Sequence, residues 1–365
     1  MASRVHLLSL TKSRRKSTRL LLGQLLEAAG FKDTIGEGDI TAVKLHVGEA
    51  GNMAYIRPPY VGTVVGMVKE LGGRPFLTDS TTLYTGGRRN GPDLVRTAEL
   101  HGFAGVNVGA PFIPADGIKG DDAVVVPSPV EGNPPVHLAA AVAKADALVC
   151  LSHFKGHEVT GFGGAIKNLA MGCSTKAGKF YMHAQSKPYV DSSRCIGCGK
   201  CREWCAFDAI ELDGGTSAIL DSRCTGCAHC LMACPVQAIR FHWDRASADV
   251  QTRLAEYATA LVNALRGRVF YVNFVTDVSP ACDCYPFNGP PLVQDLGVLA
   301  GDDPVAVDAA SWRMVNEAPA LPGSQAEGVE PGGDKFRYLY RSVDPSIQLQ
   351  EAEKLGLGTT DFELR

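Results

Sequence analysis

No stretch of this chain stays apolar for the roughly 18–20 residues that a bilayer-spanning helix requires, which excludes an integral α-helical membrane protein. An excess of one charge is missing too. Lys and Arg number 36 against 39 Asp and Glu, a net charge of −3, so the basic surplus that drives counterion release on nucleic acid is absent. Nucleic acid is not an expected partner. Long low-complexity tracts are also lacking, and 45% hydrophobic with 21% charged residues describes an ordinary globular protein. At 365 residues the chain has room for more than one compact unit.

Near the start, Arg14 and Arg15 precede an apolar stretch, which imitates a twin-arginine export signal. Gln24 and Glu27 interrupt that stretch, and Leu20, Leu21, Leu25 and Ala28 recur at helical spacing. The expectation is an amphipathic first helix in a cytoplasmic protein. Cysteine, by contrast, is abundant. Twelve cysteines in a chain placed in a reducing compartment point to metal ligation rather than disulfides.

Eight of the twelve fall between 195 and 234, inside an internal repeat. "SRCIGCGKCREWCAFDAI" (193–210) and "SRCTGCAHCLMACPVQAI" (222–239) align without a gap, and each carries Cys-x2-Cys-x2-Cys-x3-Cys. In this two-cluster signature three thiolates hold one cubane and the fourth reaches across to the other. It assigns Cys195, Cys198, Cys201 and Cys234 to one [4Fe-4S] cluster and Cys224, Cys227, Cys230 and Cys205 to a second. Gly197, Gly199 and Gly226 let the short loops curl so that backbone amides face the cluster sulfides. Pro235 follows the fourth cysteine of the second copy, whereas the first copy has Ala206. Two zinc ribbons would use separated Cys-x2-Cys pairs, not four cysteines in eleven residues repeated in tandem. The segment resembles a bacterial-type 2[4Fe-4S] ferredoxin domain, which implies single-electron transfer.

Around it, strand and helix signals alternate. "RVHLLSL", "ITAVKLHV", "RPFLTDS", "ALVCLS" and "RVFYVNFV" read as strands, with helices over 15–29, within "PPYVGTVVGMVKELGG" and over 248–265. The expected fold is α/β, a mostly parallel sheet with helices on both faces, interrupted by a small α+β two-cluster ferredoxin-like domain. Its boundaries are 1–186 and 244–365 for the two parts of the α/β domain and 187–243 for the insertion.

Ligands in such sheets sit beyond the strand ends, where this sequence places its unusual residues. "HFKGHEVTGFGGAIKNLAMGCSTKAGKFYMH" (153–183) is polar and glycine-rich, and "SHFKGHEVTGFGGAIKNLAMGC", the cluster motif and "DLGVLAGDDPVAVDAA" together resemble the DUF362 family of iron-sulfur proteins over nearly the whole chain. The resemblance implies an α/β domain joined to [4Fe-4S] clusters, with no substrate class.

His153, Lys155 and His157 alternate, so an extended segment would place them on one face, suited to a metal or an anionic substrate. Satisfaction of local backbone groups is the plainer role for either histidine. Lys167, after "GFGG", is placed to present an amine to a phosphate or carboxylate, with loop amides forming an anion nest. Lys176, Lys179 and His183 extend the basic character, while Arg88 and Arg89 read as a solvated loop. Asp302, Asp303 and Asp308 read as an acidic helix start.

Cys150 lies in an apolar strand and reads as a small buried hydrophobe. Cys282 and Cys284, in "SPACDCYPF", have no apolar core to explain them. Metal or cluster ligation, a redox-active pair and two inert thiols all remain open for them, with Cys173, His153 or His157 as a third ligand. The functional expectation is an iron-sulfur oxidoreductase that relays electrons from a redox partner through two clusters to a metal or substrate site. There His153, Lys155, His157 and Lys167 would act on a small anionic substrate. A non-catalytic electron carrier or adaptor and a metal or cluster assembly factor are the alternatives.

Overall fold

The segment Ala147–His153 is buried along its entire length, as a strand covered on both faces must be. Ala147, Val149 and Leu151 enter one apolar core, Leu148 and Cys150 the other. The same alternation marks Val269–Val275, where Phe270, Val272 and Phe274 face the first core and Val269, Tyr271 and Val275 the second. These two strands lie at the centre of the molecule. The computed structural model of the chain describes residues 2–11, 16–84, 86–183, 187–205, 207–224, 230, 233–236, 238–240 and 243–365. Arg14, Arg15, Ala206, Gly226 and Cys227, singled out in the sequence, lie outside them.

The central sheet has seven strands. They are β1 (Ser3–Ser9), β2 (Ile40–Lys44), β3 (Arg74–Thr78), β4 (Ala147–His153), β5 (Val269–Val275), β6 (Gly297–Gly301) and β7 (Phe362–Leu364), in the order β7-β1-β6-β5-β4-β2-β3. Pairs β5–β4, β4–β2, β2–β3 and β1–β7 are parallel, while β6 runs antiparallel to both β1 and β5. The sheet is therefore mostly parallel. The helices Thr18–Ala28, Pro58–Glu70 and Gly91–Leu100 contribute to one core. In Pro58–Glu70, proline opens the first turn and Val61, Val64, Val65 and Val68 recur on the buried stripe. Gly72 then turns the chain with φ 86°. Ala165–Ala170, Trp243–Ala264, Pro304–Glu317 and Ile347–Lys354 pack on the opposite face. Among the described residues no helix is long and apolar enough to cross a membrane.

The cysteine-rich segment lies between the helices Lys176–His183 and Trp243–Ala264. Tyr189–Val190 pairs with Ile239–Arg240, and Ile210–Asp213 forms a hairpin with Thr216–Ile219 through Gly214 and Gly215, both at positive φ. Among its described residues Cys201, Ile210, Cys230 and Ile239 are buried together, with Val190, Cys205, Ile219 and Cys234 against them.

Candidate functional site

Parallel strands β2, β3, β4 and β5 end on the same side of the sheet, and the loops that leave them meet around a cavity of about 150 Å³. Its walls carry His46 from beyond β2, Asp79 and Arg88 from beyond β3, and Lys155, His157 and Lys167 from beyond β4. Cys282 and Cys284 come from beyond β5. Two backbone approaches lock these loops together. Glu49 N donates to Asp283 O at 2.8 Å and Gly156 N to Ser279 O at 2.8 Å. A Cβ on Gly156 would stand 2.0 Å from Pro280 O, so only glycine lets the Lys155–His157 strand pass this close to the cysteine loop.

Cys282 is 1% exposed and is surrounded by donors. Lys167 Nζ lies 3.3 Å from its Sγ, and the side chains of Cys284, His157 and His46 also hydrogen-bond to it. The Cys284 bond, with Lys167 and the two imidazoles, holds the Cys282 thiol well below its usual range although burial opposes this. Cys284 moves the opposite way, driven well up by its bond to Cys282, by burial and by the negative charge beside it. The opposite shifts favour a thiolate at Cys282 beside a thiol at Cys284.

The histidine tautomers are set by the backbone. His46 Nδ1 accepts from Gly48 N at 2.9 Å, and His157 Nδ1 accepts from Val159 N at 3.2 Å and Thr160 N at 3.3 Å. In the neutral His157 ring the proton then sits on Nε2, the atom left to donate to Cys282, whereas His46 Nε2 also lies 3.4 Å from Arg88 Nη1, itself a donor. Burial, helped by Arg88, keeps His46 below its ordinary pKa and therefore neutral. A metal-binding histidine has the reverse arrangement, donating its second ring N–H to an acceptor. Among the described residues no three His, Cys, Asp or Glu side chains converge on a single ion position.

Behind the cavity runs a chain of buried charges. Arg88, 2% exposed, lies 3.2 Å from Glu49 Oε2 through Nε and 3.5 Å from Asp79 Oδ2 through Nη1. Its Nη2 donates to the Tyr84 hydroxyl. Asp79 also pairs with Lys44 at 3.0 Å, and Lys44 Nζ donates to Asn168 Oδ1 at 2.6 Å. Burial alone would raise Asp79, but Lys44, His46 and Arg88 outweigh it and bring its pKa to about 2. Only Arg89 of the arginine pair is exposed, so the solvated-loop expectation fails at Arg88.

The other expected residues divide. Lys155, His157 and Lys167 line the cavity; His153 does not. The chain bends after β4, and His153 Nδ1 meets both Asp283 carboxylate oxygens at 2.9 Å while Nε2 meets Thr276 O at 2.9 Å. His153 anchors the Cys282-Asp283-Cys284 loop from beneath. Lys155 Nζ donates to His153 O at 2.9 Å and lies 3.6 Å from Asp283. Cys173 stands apart in the core, its Sγ against Asn168 O at 3.6 Å, and burial pushes its thiol up to about 12. Cys150 is buried in β4. The amides expected as an anion nest are already filled: Ala165 N and Ile166 N donate to Asp308 at 2.7 and 3.0 Å. Asp308 thus caps a helix other than its own, whereas Asp303 caps Pro304–Glu317.

In the cysteine-rich segment, Cys195, Cys198, Cys201 and Cys234, the first expected ligand set, all line one void. Ser217 N donates to Cys195 Sγ at 3.4 Å and Ala238 N to Cys234 Sγ at 3.1 Å, the amide-to-sulfur contacts a thiolate cluster uses. The donor set fits a cubane. The void these four cysteines line measures about 10 Å³. Of the second set, Cys205, Cys224 and Cys230 are described and Cys227 is not. Both connections of this segment to the α/β body border the large cavity: His183 and Lys179 precede it, and Val250 and Leu254 follow it.

A family model described as "Domain of unknown function (DUF362)" matches residues 41–313. No curated protein matches. Among solved structures, the chain is similar to the lactate racemase apoprotein from Thermoanaerobacterium thermosaccharolyticum, at 11% identity and a TM-score of 0.39. The match covers 75% of this chain and 51% of that one, so the chain spans about half the length of that relative.

Proposed function

Because the chain belongs to the DUF362 family, a domain of unknown function, we propose its activity from the site alone: an iron-sulfur oxidoreductase acting on a small molecule held against Cys282. The observation that carries this reading is the attachment of the cysteine-rich segment by two helices that both line the cavity containing Cys282. When bound at the eight motif cysteines, two [4Fe-4S] clusters supply single electrons. The chain's own residues do the rest. Cys282 is the soft nucleophilic group that touches the bound molecule, Cys284 keeps a proton beside it, and Lys167 with His46 and the Nε2–H of His157 stabilises the thiolate. The backbone-fixed tautomer of His157, and the Arg88 guanidinium beside His46, favour a reactive thiolate over a histidine-ligated metal at this point. An electron-donor protein would meet the cysteine-rich segment where Cys198 and the 63% exposed Ile196 reach the surface.

Protein purified without oxygen should carry about eight irons, and Cys282→Ala should retain them all. After photoreduction, addition of a low-molecular-weight metabolite extract should reoxidise the native clusters and leave those of Cys282→Ala reduced. An iron content far short of this, or equal reoxidation in the two proteins, defeats the proposal.

A further inference from the structure

The cavity holds more hydrogen-bond donors than the thiolate chemistry uses. Lys179 and His183, one turn apart on the helix Lys176–His183, line it together with His157 and Lys167. Lys179 is 8% exposed, and its ammonium donates to Ser80 Oγ at 2.7 Å and to Ser174 O, both neutral. Among the described residues no carboxylate oxygen lies within 4.0 Å of Lys167 or Lys179, and the His183 ring has no hydrogen-bond partner there. A buried ammonium without a counter-charge is costly, and an entering anion relieves that cost.

We propose that Lys179 and His183, with Lys167 and His157 alongside, receive the carboxylate of a small organic monoacid whose other end rests against Cys282. This rests on the reading of Cys282 as the reacting thiolate. Size limits the ligand: a cavity of about 150 Å³ matches one that encloses benzene, so the molecule has roughly six to eight heavy atoms. Charge limits it further. Glu158 borders the cavity, its Oε1 accepts from Tyr285 Oη at 2.6 Å, and its buried Oε2 has no partner among the described residues. Together with the Cys282 thiolate, Glu158 repels a dianion or a second acid group and welcomes a donor, which favours a monocarboxylate over a phosphate.

Lys179 faces Ser80, Ser174, Asp79, Asp116, Lys44 and Cys173. Burial is the main influence and brings its pKa down to about 8, Asp116 and Asp79 opposing. Burial first, then His157, Lys167 and Lys179, hold His183 down to about 3, so its ring is neutral and can donate one N–H to a carboxylate. The Lys179 charge that receives the anion is therefore lost as pH rises through 8, while Lys167, which burial would lower but the neighbouring Cys282 raises, keeps its own.

The test compares two alkylating reagents on the full anaerobic protein, iodoacetate as the small carboxylate and iodoacetamide as its neutral analogue, with Cys282 labelling read by peptide mass spectrometry. In both, the thiolate sulfur bonds to the methylene carbon and iodide leaves. At pH 7 the iodoacetate-to-iodoacetamide rate ratio at Cys282 should exceed that of a free small thiol by about tenfold, the factor one desolvated ion pair provides. It should fall by a similar factor in Lys179→Met and His183→Phe, and in the native protein as pH rises through 8. Acetate should slow iodoacetate more than iodoacetamide. A ratio equal to that of the free thiol, a ratio insensitive to both variants and to pH, or stronger protection by inorganic phosphate than by acetate overturns the carboxylate site. If neither reagent labels Cys282, the thiolate reading fails separately. Calorimetric titration of acetate into native and Lys179→Met protein then decides the anion site alone, and equal or absent heats overturn it.

Discussion

At the scale of single residues, the tautomer of His157 makes a definite demand on Cys282. It supplies a hydrogen bond to a charged sulfur, worth about 1.5–3 kcal/mol, or one to two pKa units. An ordinary thiol loses reactivity tenfold for each pH unit below about 8.5. Cys282, whose pKa is depressed, should alkylate at a nearly constant rate from pH about 8 to 6.5. Removing the donor in His157→Phe should slow the reaction at pH 6.5 about tenfold, while His157→Gln, which keeps an N–H, should restore most of it. Iodoacetamide kinetics across pH check this, and a steep native profile refutes it. A second demand concerns Arg88. Its replacement by Met leaves Glu49 and Asp79 short of a counter-charge in the interior, and a loss of about 3–5 kcal/mol in urea unfolding is expected. The two residues differ in legibility. Cys282 stood out because eight other thiols had an assignment. Arg88 did not, because glycines and a second arginine beside it form a local pattern typical of solvated loops. The carboxylates that permit its burial come from Glu49 and Asp79 on other segments, and no local pattern records that.

At the scale of elements, the site is a set of loops held at fixed spacing by close backbone contacts and buried caps. Asp308 is one such cap. Its carboxylate accepts from Ala165 N, Ile166 N and Asn273 Nδ2, and those bonds fix the helix that carries Lys167. Burial nevertheless raises its pKa to about 6, with the three donors opposing. The folded value exceeds the unfolded one of about 3.9, so protonation favours the folded state. That contribution is complete below the unfolded value and is lost as pH rises through about 6. Asp308→Ala should cost about 2–4 kcal/mol by leaving three donors unsatisfied, and should weaken the Lys167–Cys282 contact, seen as a raised Cys282 pKa in the alkylation profile. Unchanged stability refutes the assignment. The sequence showed this region as an acidic helix start. It was right for Asp303, whose partners Val305 N and Ala306 N are neighbours, and wrong for Asp308, whose partners lie across the molecule. Strands β2 to β5 were legible for the same reason of locality: apolar runs with helices between them specify parallel neighbours. The antiparallel placement of β6, the edge strand β7 and the Lys155–His157 hairpin depend on contacts that no run of residues announces.

At the scale of the whole molecule, the two parts of the chain have different sources of stability. The α/β body buries two extended apolar cores on either side of one sheet. Among its described residues the cysteine-rich segment buries Ile210 and Ile239 with Cys201 and Cys230, and with them small apolar side chains such as Ala209, Ala233 and Ala238. At about 1.5–3 kcal/mol per buried aliphatic side chain, these described contacts are a modest source of stability. On the function proposed above, iron-thiolate bonds at the motif cysteines would supply the further stability of this segment. Removal of iron by a chelator under reducing conditions should therefore release the segment alone. Hydrogen exchange should show amides in 187–240 losing protection by factors of hundreds or more, while β4 and β5 stay protected. The helix Lys176–His183 should exchange faster at its last turn, because its next connection leads directly into the released segment. If 187–240 keeps its protection after iron is removed, the segment folds without metal and the cluster assignment loses its energetic basis. If β4 and β5 open with it, the two parts form one cooperative unit, and the cavity beside Cys282 depends on the clusters for its shape as well as for its electrons.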